Sequence, residues 1–91
     1  MGDLMKEVSE EIVKRILSRV SNDAKLYDAE FAKLTYPIEE FTGLCERDIL
    51  RGIIPFLPNL NYRGRPLVMS ASIDLSTDEI ELIVITTKKY N

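Results

Sequence analysis

The chain has 91 residues, of which 45% are apolar and 30% charged, with a formal net charge of −3. That composition suits one small folded domain, residues 1–91, with a single hydrophobic core, and excludes an intrinsically disordered chain. The negative balance argues against a general nucleic-acid binder, and no apolar run approaches the roughly 18 residues of a membrane span.

Histidine is absent. Its absence removes Ser-His-Asp and Cys-His catalysis, imidazole acid–base work and the usual zinc sites. An enzyme would have to rest on carboxylates, Lys, Arg, Tyr or the single cysteine, so a non-enzymatic role is favoured and no catalytic residue, metal site or cofactor is assigned. Cys45 has no partner for an internal disulfide. The N-terminal sequence lacks a basic segment followed by an apolar core, and Lys6 stands where a myristoylation signal needs Ser or Thr. Cytoplasmic residence is the expectation. The lack of Gln and Trp beside abundant Ile, Leu, Glu and Lys/Arg leans toward a thermophilic source.

The first predicted element is a helix over about 3–20. Leu4, Met5, Val8, Ile12, Val13, Ile16, Leu17 and Val20 recur at three- and four-residue spacing, with Asp3 as a candidate cap. Their arc of about 200° is wider than the roughly 100° stripe of a surface helix, so this helix is expected to touch two neighbours. Val13 and Leu17 are therefore candidate interface residues. Ser21, Asn22 and Asp23 read as a break that caps a second helix over 24–34. Pro37 suits the start of a short helical turn over 37–42, with Glu39 and Glu40 in its first turn and Gly43 after it. A further helix over 44–54 presents Leu44, Ile49, Leu50, Ile53 and Ile54, and Pro55 and Pro58 stop it. Asn59 to Arg65 is expected as a polar loop.

From Pro66 onward the period changes to two, which predicts an antiparallel hairpin of strands 67–75 and 80–87. Leu67, Met69, Ala71, Ile73 and Leu75 form one face of the first arm; Ile80, Leu82 and Val84 form the matching face of the second. The compact register pairs Leu75 with Ile80 across the loop Ser76–Glu79, and sets Asp74 beside Glu81. The other face then groups Val68, Ile83 and Ile85 as a second apolar patch. A two-stranded ribbon is marginal alone and leaves two open edges. The fold class is thus α+β, with helices packed on a C-terminal hairpin.

Self-association or a protein partner, through the sheet edge, the Val68/Ile83/Ile85 patch and the Val13/Leu17 helix face, is the leading functional expectation. The alternative is a nucleic-acid or anion-binding accessory protein, and a carboxylate- or metal-dependent enzyme ranks third. Arg47 and Arg51 lie one helical turn apart, and Tyr62, Arg63 and Arg65 offer an aromatic face and two guanidinium groups beside Gly64. The simpler reading of that loop is a solubilising turn. Asp74-x-Ser76-x-Asp78 fails as a calcium loop, because Glu79 and Ile85 occupy the positions that need Gly and Glu. Glu10–Glu11 and Glu39–Glu40 are adjacent pairs about 100° apart on a helix and do not converge on one ligand.

Overall fold

The computed structural model describes residues 2–90, with side chains described for 10–86, 88 and 89. The expected Asp3 cap, the Leu4, Met5 and Val8 side chains, and those of Glu7 and Tyr90, lie outside the described residues. Helix α1 (Gly2–Ala24) is followed by strand β1 (Phe31–Pro37), a 3₁₀ turn (Ile38–Phe41), helix α2 (Arg47–Ile53) and a second 3₁₀ segment (Ile54–Asn59). Two short strands, β2 (Asn61–Tyr62) and β3 (Arg65–Pro66), precede β4 (Val68–Asp74) and β5 (Glu79–Ile85), and a last 3₁₀ turn covers Thr87–Tyr90.

The fold is α+β, with the helix first and the antiparallel sheet after it. The sheet has three strands in the order β1-β5-β4, not the two of a simple hairpin. The added strand occupies sequence read as the helix 24–34. Residues 31–37 alternate strictly, burying Ala32, Leu34 and Tyr36 and exposing Phe31, Lys33 and Thr35. Pairing with β5 outweighs the weak helical spacing: Leu34 lies opposite Leu82, and Tyr36 opposite Ile80. One edge of the expected ribbon is therefore covered within the chain.

Nor does the helix break at Ser21. It continues to Ala24 because Val20 and Ala24 are buried in the core, and packing overrides the capping preference of Ser, Asn and Asp. Asp23 serves tertiary structure instead. The Tyr36 hydroxyl donates to its Oδ2 (2.6 Å), Arg19 Nε donates to the same oxygen (3.2 Å), and Phe41 meets the Tyr36 ring edge-on at 5.3 Å. Burial, aided by the bond to Asp23, pushes the Tyr36 hydroxyl pKa above its usual value.

Two other helices differ in extent. The 37–42 helix is a 3₁₀ turn with Pro37 as its extended cap, closed by Thr42 Oγ1 donating to the Glu39 carbonyl (3.0 Å). The 44–54 helix begins at Arg47, and Pro55 does not stop the coil: it sits in the first turn of the 3₁₀ segment, where a missing N–H costs little. That segment packs against β4, burying Ile54 and Leu57.

The β4–β5 register also differs from the expected one. Ile73 pairs with Ile80 and Asp74 with Glu79, so the loop is Leu75–Asp78, Leu75 is 73% exposed and Ser72 stands beside Glu81. Asp74 causes this. Its Oδ1 accepts the Ser76 N–H (2.9 Å) and the Ser76 hydroxyl (2.6 Å), which starts the turn one residue earlier. At the other end a bulge at Met69 breaks the parity, pairing Val68 with Val84 and Ser70 with Ile83. Met69 is left 54% exposed and Val68 is buried. Ile80, Leu82 and Val84 are fully buried in the core that also takes Ile16, Leu17 and Val20 of α1, each stabilising by about 1.5–3 kcal/mol.

Candidate functional site

The bulge corrects one expectation about function. Val68 faces the core, so the outer sheet face lacks the Val68/Ile83/Ile85 cluster. Ile83 and Ile85 remain half-buried on that face, flanked by Ser70 and by Lys33, which pairs with Glu81 at 3.8 Å. Phe31 stands opposite Ile85 with the Lys89 ammonium 5.6 Å over its ring. Leu17 is likewise buried within the chain, while Val13 is partly buried at its side.

The arginines expected to form one patch are divided between the two ends of the sheet. Arg47 and Arg51, on α2, reach the β4–β5 turn. Arg51 Nη2 donates to Asp78 Oδ1 (2.7 Å), Arg47 Nη1 to Asp78 Oδ2 (3.3 Å), and Arg47 Nη2 to Glu39 Oε1 (2.6 Å). Arg51 also reaches Asp48 (3.1 Å). Asp78 has a left-handed backbone (φ 54°), and its carbonyl accepts the Ile38 N–H (2.8 Å). This is a clamp that fastens the turn to α2 and the Ile38–Phe41 coil. The terminal nitrogens of both arginines are engaged by carboxylates. The bond to Asp78 raises the Arg51 pKa above its ordinary value.

Tyr62, Arg63 and Arg65 lie at the far end of β5, where they share a pocket with Ile85 and Thr86. The seven residues of β5, at roughly 3.3 Å each, separate them from Asp78. Tyr62 to Arg65 forms a tight hairpin whose two central residues both have positive φ, Arg63 at 53° and Gly64 at 79°. This turn prefers Asn-Gly or Gly-Gly, and an arginine in left-handed backbone costs about 1–2 kcal/mol. In return the Arg63 guanidinium lies over the Tyr62 ring at 5.2 Å.

That plate of Tyr62 and Arg63 stands opposite one face of α1 and borders two adjoining grooves. The larger, about 710 Å³, is mainly apolar, lined by Val13, Leu17, Leu60 and Tyr62 with Glu10 and Lys14 at its rim. The smaller, about 390 Å³, is lined by Ser21, Lys25, Arg63, Arg65 and Thr86. Thr86 is buried and fixed there: its N–H donates to the Glu30 carbonyl (2.8 Å) and its hydroxyl to the Ala29 carbonyl.

Leu60, Ser21, Lys25 and Thr86 escaped the sequence reading. Their role depends on α1 running on to Ala24 and on the 60–66 segment folding back beside it, and no local pattern announces either. Cys45 is partly buried next to Glu46, and burial pushes its thiol pKa up, away from a reactive thiolate. Among the described residues no three acidic or thiol side chains converge in a way that could hold a metal ion, and no helix is long and apolar enough to cross a membrane. The chain matches no protein-family model, no curated protein and no solved structure.

Proposed function

We propose that this chain is a protein-interaction module that receives a segment of another protein in the groove between α1 and the β2–β3 hairpin. The observation that carries this reading is the apolar lining of the larger groove. Val13, Leu17, Leu60 and Tyr62 bring aliphatic and aromatic surface together in a concave site of about 710 Å³ on a small chain. The strained Arg63 turn adds support, because an unfavourable backbone kept beside a groove is better explained by what the groove holds than by folding. The reading keeps the helix face anticipated from Val13 and Leu17 and moves the emphasis away from the sheet edge.

Self-association has less support. The bulge at Met69 takes Val68 off the outer face, and β1 covers one side of β5. A nucleic-acid role has less support as well, since Arg47 and Arg51 are held by Asp78 far from Tyr62, and the groove offers one aromatic ring rather than a row of them.

A photo-crosslinking amino acid at Ser18, on the groove wall, tests the proposal against the same probe at Ser72 on the outer face. In extract of the source cells, Ser18 is expected to give a discrete adduct with another protein that Ser72 does not give and that the Leu60→Asp variant loses. Equal labelling from both positions would overturn the reading. An adduct of the chain with itself, matched by a dimer in sedimentation velocity, would replace it with self-association.

A further inference from the structure

Among the described residues, the ion pairs separate two groups of cations. Arg15, Arg19, Lys33, Arg47, Arg51, Lys88 and Lys89 each pair with a carboxylate. Lys14, Lys25 and Arg63 pair with none among the described residues, and all three line the two grooves. In a chain of net charge −3, cations left without carboxylates in one place make a local positive field. Arg65 also lines the smaller groove.

Resting on the groove reading above, we infer that the bound segment is an acidic peptide: an apolar anchor seated between Val13, Leu17 and Leu60, with Asp or Glu side chains placed against Lys25 and Arg63. The charges also set a direction. Glu10 rims the apolar groove at the end away from Lys25, and it would repel a carboxylate there. Acidic residues therefore extend from the anchor toward the Lys25 end. Leu17 and Lys25 are eight positions apart, about 12 Å along the axis of a helix. An extended chain covers that distance in about three or four residues. Arg63 suits the role because its planar guanidinium, already held over the Tyr62 ring, loses little freedom when it takes a carboxylate. Single-stranded nucleic acid fits less well: its phosphates suit the cations, but the Val13–Leu17–Leu60 lining offers bases no stacking surface beyond Tyr62.

The test is a selection of random twelve-residue peptides, displayed on phage, against the immobilised full chain, with affinities then measured by fluorescence polarisation. The expected product is a peptide family with an aliphatic or aromatic anchor and Asp or Glu three or four positions away. Its affinity should fall at least about tenfold in the Lys25→Glu/Arg63→Glu variant and in Val13→Asp, and should weaken with added salt only where the two cations are present. Circular dichroism melts of both variants confirm that they fold. Peptides with apolar anchors but neutral or basic flanks, insensitive to the double variant, would overturn the acidic inference and leave the groove reading standing. No enrichment over a blank support would overturn both. Binding of a twelve-nucleotide oligo(dT) with steep salt dependence, in place of any peptide, would assign the cations to phosphate instead.

Discussion

The two ends of the β1-β5-β4 sheet use arginine in opposite ways. At the turn end, Arg47 and Arg51 are spent on Asp78, Glu39 and Asp48, and the side chains of one turn, one helix and one 3₁₀ coil are drawn together. At the far end, Arg63 sits in an unfavourable backbone conformation, touches an aromatic ring and meets no carboxylate among the described residues. The first arrangement serves the fold at the cost of any ligand. The second disfavours the fold slightly and leaves charge available for a ligand. Residue type alone does not distinguish the two; what each guanidinium touches does.

The comparison predicts effects of opposite sign. The largest is at Asp78, where Asp78→Ala removes the acceptor of two arginines and the residue whose left-handed backbone closes the turn. A fall in melting temperature of about 5–15 °C is expected by differential scanning calorimetry. If Asp78→Ala melted with the parent chain, the clamp would not be structural. Arg63→Asn should move the other way, stabilising by about 0.5–1 kcal/mol in urea unfolding because Asn accepts a positive φ more readily. The same change should weaken binding of the selected peptides. A destabilised Arg63→Asn would show that the arginine serves the fold after all.

The smallest effect is at Asp74. The Ser76 hydroxyl and N–H hold its carboxyl below the usual carboxylate range. Because the folded pKa is depressed, this contribution is complete above about pH 4, the unfolded value, and is lost as pH falls through the folded one. Asp74→Asn should lower stability slightly near neutrality, flatten the acid limb of a stability–pH curve and converge with the parent chain at the acid end. An unaltered acid limb would show that the turn does not depend on the carboxylate.

How much of this was legible beforehand varies with the kind of signal. The α+β class, α1 and the strands after Pro66 follow from side-chain period, which is local. Strand β1 was hidden because Ala32, Leu34 and Tyr36 alternate over too short a stretch, and because the preceding Ser-Asn-Asp looks like a helix start until Ala24 is known to be in the core. The register slip came from one side chain, Asp74, competing for the turn, and the bulge at Met69 leaves no mark in the pattern of apolar residues. For the site, Tyr62, Arg63 and Val13 were visible as residue types. Their assembly with Lys25, Leu60 and Thr86 depends on contacts between distant segments, and so does the loss of Arg47 and Arg51 to the clamp.

The strand order has a consequence for biosynthesis. The central strand, β5, leaves the ribosome after the other two strands of its sheet, so β1 and β4 have no common neighbour until it emerges. Through most of translation the apolar side of α1 has only an unfinished surface to lie on. Joining Phe31 to Ile85 closes a long loop late, a step that slows folding and exposes greasy segments to chaperones in the meantime. A nascent chain stalled ahead of Glu79 therefore carries no smaller version of this sheet, only the parts of one.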